Sequence, residues 1–150
     1  MKTNSVDVKI KLLRPTSKMP TKGTDGSAAY DLYADNANKI VMQPLSTVLV
    51  DTGIALAIPN GYCALVLPRS GLSLKSPLRI SNAPGLIDSD YRGEIKVILD
   101  NIGQGFATIE PGTRIAQLMI IPYPEVRFQE TDDLGETKRA EGGFGSTGNN

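Results

Sequence analysis

Apolar and polar residues alternate with a period of two in several short pieces of this chain. Val6, Val8, Ile10 and Leu12 alternate with Asp7, Lys9 and Lys11; Ile95, Val97 and Leu99 do so less strictly; Val126 and Phe128 alternate with Arg127 and Gln129. Successive strand side chains point to opposite faces, so each piece predicts a half-buried strand. Two continuous apolar runs, Tyr62 to Leu67 and Leu118 to Ile121, predict strands buried on both faces. Breakers separate these pieces at Pro44, Asp51-Thr52-Gly53, Pro59-Asn60-Gly61, Pro84-Gly85, Asn101-Ile102-Gly103 and Pro111-Gly112. Short strands with turn signals every ~8 to 12 residues predict an all-β barrel or sandwich.

The clearest hairpin signal is Pro59-Asn60-Gly61 between Ile54–Ile58 and Tyr62–Leu67, because Asn-Gly tolerates the positive φ of a primed turn. One helix of one or two turns is predicted after Ser70, across Leu72 to Ser76, ended by Pro77. From Gly142 the chain reads GGFGSTGNN, with Phe144 the sole large apolar side chain. Such a segment buries too little surface to offset its ordering entropy, which predicts a tail that is mobile on its own.

Composition narrows the chemistry. The 150 residues include no His and one Cys, Cys63. Imidazole triads, Cys-His pairs, His-ligated metals, internal disulfides and Cys clusters are thereby excluded. Catalysis must come from carboxylates, hydroxyls, Lys, Arg, Tyr, amides or a hard cation such as Mg²⁺, which prefers oxygen ligands. Hydrolysis and phosphoryl chemistry fit that set. A chain of this length forms one domain and buries roughly 70% of its unfolded surface without a disulfide staple. No charged-then-apolar leader opens it, and its longest apolar run is far below the ~20 residues of a membrane helix. A reduced, intracellular, cytoplasmic protein is the expectation.

Sixteen basic and sixteen acidic residues give net zero, which offers no argument for direct nucleic-acid binding. Residues 1 to 22 carry six Lys/Arg and one Asp, while residues 125 to 141 carry six acids and three bases. These are two solvated faces, or ends that meet something of opposite sign such as a neighbouring subunit.

Four stretches are odd for a barrel that only had to fold. Pro68-Arg69-Ser70-Gly71 puts a guanidinium, a hydroxyl and free N–H groups at a helix start, which is an anion site or a capped turn with a surface Arg. Asn82-Ala83-Pro84-Gly85-Leu86-Ile87-Asp88-Ser89-Asp90-Tyr91-Arg92-Gly93-Glu94 holds an amide able to read a base edge, carboxylates and a Tyr ring. It is a hairpin bent around a small ligand, or a polar turn with Asx bonds. In Gly112-Thr113-Arg114-Ile115-Ala116-Gln117-Leu118, Gln117 is the polar residue of an otherwise apolar strand, needing partners or facing water. Arg139-Ala140-Glu141-Gly142-Gly143-Phe144-Gly145-Ser146-Thr147-Gly148 offers glycines, a guanidinium and hydroxyls to phosphates, or is a plain Gly-rich tail.

PRSG, GLIDSDYRGE, GTRIAQL and EGGFGSTG, preceded by Ala28-Ala29-Tyr30-Asp31-Leu32-Tyr33, resemble in order and spacing the five motifs of the trimeric deoxyuridine triphosphatases (dUTPases). The resemblance covers about Ala28 to Gly148. It implies a jelly-roll-like β-barrel over residues 1–138, a flap over 139–150, and a homotrimer with sites at subunit interfaces. It also implies Mg²⁺-assisted hydrolysis of dUTP to dUMP and pyrophosphate.

Carried over by that resemblance, Asp88 orients and polarises the attacking water and faces the 3′-hydroxyl. Tyr91 lies under the deoxyribose and excludes a 2′-hydroxyl. Asn82, with backbone of Gly85, Leu86, Ile87 and Asp88 and near Lys96, reads uracil. Arg69, Ser70 and Gly71 hold phosphates, and Gln117 places a water or a phosphate oxygen. Asp31 reaches the metal through water. Arg139, Phe144, Gly145, Ser146 and Thr147 form the flap, Phe144 stacking on uracil.

The chemistry is consistent with a His-free chain: a triphosphate carries about four negative charges, Mg²⁺ and arginines neutralise them, and one carboxylate of pKa ~4 suffices as base. Thr113 stands where many relatives have Asp, and Ala29 and Ala140 where Gly is common. Two rivals are weighed: a dCTP deaminase, which shares the fold but departs from the Tyr91 hairpin and the GGFGSTG tail, and a non-catalytic dUTP-binding regulator, against which Asp88 argues.

Overall fold

The structure is a computed structural model and describes residues 5–143. Among them ten strands and one helix follow in the order β1 (Lys9–Leu12), β2 (Tyr30–Tyr33), β3 (Ile40–Met42), β4 (Thr47–Ala57), β5 (Tyr62–Leu67), α1 (Ser70–Lys75), β6 (Leu78–Ile80), β7 (Gly85–Ile87), β8 (Glu94–Asn101), β9 (Ala107–Ile109) and β10 (Arg114–Pro122). One four-stranded sheet has the order β1-β4-β8-β6, a second has β2-β10-β5-β7, and β3 pairs separately with β9. All these pairings are antiparallel. The sheets do not close into a hydrogen-bonded cylinder; they enclose one core, the all-β arrangement that the strand spacing predicts, in the jelly-roll-like form that the family resemblance implies.

Val50, Ile54, Ile95, Val97 and Leu99 of the first sheet meet Leu32, Ile115 and Ala116 of the second, with Met42 and Ile109 closing one end. The period-two prediction at Ile95, Val97 and Leu99 holds, and the series continues to a polar residue, Asn101. Its buried amide is satisfied: Nδ2 donates to the carbonyls of Gln43 (3.0 Å) and Gly105 (2.8 Å), and Oδ1 accepts from the Gly103 N–H (3.0 Å). One side chain thus ties two loops to the sheet.

Several expectations need correction. The Pro59-Asn60-Gly61 turn exists, with Gly61 at φ 83° and the Tyr62 N–H donating to the Pro59 carbonyl at 3.2 Å, but it is not a hairpin. Asn60 lacks the positive φ that a type I′ turn requires, and β4 and β5 lie in different sheets. Both edges of β4 are taken by β1 and β8, and both edges of β5 by β10 and β7, so the turn arches from one sheet to the other.

The runs on β5 and β10 are not buried on both faces: Leu65, Leu67, Met119 and Ile121 are only half-buried. Val126 and Phe128 form no strand and stand exposed, because the chain from 123 to 143 contains no strand to pair them. The helix starts earlier than expected: Arg69 is its N-cap, with no side-chain cap hydrogen bond, and Ser70 is already the first helical residue. Cys63 is buried, as a small apolar residue. No helix among the described residues is long and apolar enough to cross a membrane.

The β4–β8 ladder is interrupted. It pairs Thr47 through Asp51 with Asp100 through Lys96, then resumes with Ala55 opposite Glu94, so a two-residue step on β8 faces a four-residue step on β4. Side chains fill the gap. The Gly53 N–H donates to Glu94 Oε1 at 2.8 Å, and the Gly53 carbonyl accepts from the Leu13 N–H at 2.8 Å. Arg14 forks onto the Glu94 carboxylate with both Nη groups and donates through Nε to Asp35 Oδ2 at 2.8 Å, which also accepts from Ser17 Oγ at 2.7 Å. Gly53 sits at φ 71°, and a β-carbon there would lie 2.0 Å from Asp35 Oδ2 and 2.1 Å from Ser17 Oγ.

Gly53→Ala is therefore expected to destabilise the protein by about 3 kcal/mol, combining a left-handed backbone penalty of ~1–2 with overpacking of ~1–3, measured by denaturant unfolding at fixed protein concentration. Asp35 supplies a second test. Burial pushes its carboxyl up, but hydrogen bonds from Thr16, Ser17 and Arg14 and the Arg14 charge outweigh that and hold it below the usual value. A carboxyl lowered in the folded state stabilises above its unfolded pKa and loses that contribution as pH falls through the folded value. Asp35→Asn is expected to be about 1–3 kcal/mol less stable than wild type at pH 7, with the gap closing below about pH 4; an unchanging gap across an acid series would contradict this.

Candidate active site

Two clefts gather the sequence-identified residues, at different places on the chain. The first, of about 320 Å³, lies between β7 and β8 and is lined by Asn82, Gly85, Leu86, Ile87, Asp88, Tyr91 and Lys96, together with Leu49, Val66, Glu94, Val97 and Ile98. Its apolar walls combine buried Val66 and Val97 with exposed Leu49 and Leu86, and its polar groups come from the loops at either end of β7 and from Glu94 and Lys96 on β8. The hairpin expected over Asn82 to Glu94 is not formed: β7 pairs with β5 and β8 with β4 and β6, so the turn between them passes from one sheet to the other. The turn after β7 is closed by the Tyr91 N–H donating to the Asp88 carbonyl at 3.2 Å, and by Arg92 Nη1 donating to the Ser89 carbonyl at 2.6 Å. The Tyr91 hydroxyl donates back to the Glu94 carbonyl at 3.1 Å, which lays the ring over Gly93; a β-carbon there would meet the hydroxyl at 2.4 Å. Asp88 is exposed at the cleft. Lys96 Nζ pairs with Asp51 Oδ1 at 2.8 Å, and this hydrogen bond and charge hold its ammonium above the usual lysine value.

The second cleft, about 390 Å³, is lined by Arg69, Gly71, Leu72, Lys75, Thr113 and Arg114. Behind two of its lining arginines stands Asp31 on β2, 7% exposed. Asp31 accepts from Arg69 Nε at 2.7 Å and from Arg114 Nη1 at 3.1 Å, while Arg69 Nη1 donates to the Arg114 carbonyl at 3.2 Å. Gln117 on β10 stands opposite Asp31 on one side and Leu67 on the other, at the same end of the sheet as Arg69 and Ser70. Three cations around one cleft favour a polyanion. Of these, Lys75 and Arg114 were not singled out from the sequence; Arg114 had a signal in the Gly112–Leu118 stretch, and Lys75 gave none beyond its place in the helix.

The two clefts do not merge. Ile87 pairs with Ala64, which sets Asp88 level with Cys63, and Arg69 lies six residues on from Cys63, just past the end of β5. At ~3.3 Å per residue the separation is roughly 20 Å. Arg139 joins neither cleft: its Nε donates to the Gly142 carbonyl at 2.8 Å. Ala140 adopts φ 44°, the left-handed region that Gly enters most readily. Phe144, Gly145, Ser146 and Thr147 lie outside the described residues.

Both clefts fall within residues 16–148, the span matched by the family model described as dUTPase. A deoxyuridine 5′-triphosphate nucleotidohydrolase of Rickettsia typhi is 48% identical over 144 residues, covering 95% of this chain and 97% of that protein. Among solved structures, the Staphylococcus bacteriophage 80alpha dUTPase with dUpNHpp is 29% identical with a TM-score of 0.87, over 97% of this chain and 99% of that one. A dUTPase variant from phage phi11 of S. aureus, described for its coordination of a structural Mg(II) ion, is 25% identical with a TM-score of 0.78, over 85% of this chain and 98% of that one. By model, sequence and fold alike, the chain belongs to the dUTPase family, whose members are nucleotide hydrolases.

Proposed function

We propose that this chain hydrolyses dUTP to dUMP and pyrophosphate, lowering the dUTP available to DNA synthesis and supplying dUMP for dTMP synthesis. The observation that carries the reading is the first cleft, where the segment from Asn82 to Tyr91 presents Asn82, the backbone of Gly85 to Asp88, and Tyr91 to a space of nucleoside size. In this reading Asn82 and the backbone of Gly85 to Asp88 bind uracil, with Lys96 alongside. Tyr91 lies against the deoxyribose and leaves no room for a 2′-hydroxyl. Asp88 accepts a proton from the attacking water, and Gln117 positions that water or a phosphate oxygen. Arg69, Ser70 and Gly71 bind the phosphates, with Arg114 and Lys75 adding charge.

The donor set decides how a metal fits. Both Asp31 oxygens are engaged by guanidinium groups, and the described residues hold no cluster of three His, Cys, Asp or Glu. That would suit an ion that arrives on the triphosphate, keeps much of its water and meets Asp31 through that water, as Mg²⁺ prefers; the phage phi11 relative is described with a structural Mg(II) ion, so Mg²⁺ is an ion that a relative of this fold binds. Bound there, Mg²⁺ neutralises the triphosphate and stabilises the leaving pyrophosphate.

Because Asp88 and Arg69 stand roughly 20 Å apart on one β5–β7 ladder, no single chain of this shape completes the site. We therefore read the enzyme as a homotrimer whose subunits share sites. In support, Leu65, Leu67, Met119 and Ile121 form a half-buried apolar row on the outer face of β5 and β10, level with Asp31 and Gln117. Such a face favours a partner. Residues 1–138 then form the barrel domain, and 139–150, with Arg139, Phe144, Gly145, Ser146 and Thr147, the flap that closes on the nucleotide. A buried unpaired Cys63 suits a reducing cytoplasmic location.

Pyrophosphate release from dUTP should far exceed that from dCTP, dTTP and UTP, and ammonia release from dCTP would overturn the assignment. Asp88→Asn should still bind dUTP while kcat falls ~10²–10⁴-fold; wild-type kcat would remove Asp88 from the role of base. Light scattering should give about three times the monomer mass, and a fully active monomer would refute shared sites.

A further inference from the structure

We propose that Arg14 is a positioning residue for sugar discrimination: by clamping Glu94 across the break in the β4–β8 ladder, it fixes the stem on which Tyr91 rests. The inference rests on reading the first cleft as the dUTP site. Tyr91 is held by its hydroxyl donating to the main-chain carbonyl of Glu94 at 3.1 Å, so its ring can be no better placed than that peptide. Most of β8 pairs residue by residue with β4, but the register breaks between the Asp51–Lys96 and Ala55–Glu94 pairs, so Glu94 is held to β4 only by a last, isolated pair beyond the break.

Beside that isolated pair with Ala55, Glu94 is held by its side chain, 12% exposed, whose carboxylate is gripped by the Arg14 fork and by the Gly53 N–H at 2.8 Å. Arg14 is oriented in turn by Asp35 through Nε at 2.8 Å and lies 3.7 Å from Asp51, the partner of Lys96. A fork held on both sides resists sliding in a way that a single contact does not. A loosened stem lets Tyr91 retreat from the sugar, and the space that a 2′-hydroxyl needs becomes available.

Two readouts on the full-length protein test this. In Arg14→Ala, the ratio of kcat/KM for dUTP over UTP should fall about tenfold, within the range expected for a pocket that loses one steric constraint, and chiefly through KM for dUTP. Hydrogen exchange at the Tyr91 amide, which donates to the Asp88 carbonyl, should quicken about tenfold as local opening becomes easier. Arg14→Lys keeps charge but not the fork and should recover only part of both; should Arg14→Ala fail to fold, it is read against the same marks. Thr47→Val is the control, since it removes a bond to Asp100 (2.6 Å) at the far end of the same two strands. It should lower stability while leaving ratio and exchange unchanged. Wild-type exchange at Tyr91 in both Arg14 variants would overturn the inference, as would an equal change of ratio in Thr47→Val. Wild-type protein that turns over no dUTP would instead refute the functional reading, and the exchange measurement would still decide the role of Arg14.

Discussion

The antiparallel pairing of β5 with β7 and β10 is the constraint on which the candidate site depends. It sets the end of β5, where Arg69 caps the short helix, beside Gln117, and through β10 beside Asp31. The same ladder sends β7 the other way and delivers Asp88 far from those groups. Strand ladders are stiff, so this separation is a property of the fold and not of a loop that could swing. The groups proposed to bind a base and those proposed to bind phosphate are each prearranged, and their relation within one chain is fixed as apart.

Much of this was legible in the residues. Period-two apolar positions on β8 predicted its buried face because burial there is decided by local alternation alone. The Asn60-Gly61 signal predicted a turn and a positive φ at Gly61, but which strands lie side by side is settled by competition among distant edges. That competition sent β4 and β5 into different sheets. Val126 and Phe128 alternate as a strand would, yet alternation supplies no partner, and no described strand pairs with them.

The motif residues of the first cleft were readable because thirteen consecutive positions, Asn82 to Glu94, carry nearly all of them. Arg14 was not, since its contact with Glu94 spans 80 residues and neither residue is unusual among its neighbours. Asn101 illustrates the same limit: at the position of a core residue, its worth comes from carbonyls that two loops bring to it. Gly53 is a further case, read as part of a breaker but required because Asp35 and Ser17 occupy the space of a side chain.

Asp31 has one more consequence. Two guanidinium groups and an ammonium near one cleft would repel one another and fan out into water if nothing negative stood between them. The Asp31 carboxylate serves as a resident counter-ion that uses only Arg69 Nε and Arg114 Nη1, leaving other N–H donors of both side chains for an incoming anion. The rotamers of these long side chains are thus settled during folding, so an arriving anion is spared an ordering cost of ~0.5–1.5 kcal/mol for each. A carboxylate beside a cleft proposed for polyanions, at first sight an electrostatic mistake, holds the arginines of that cleft in place.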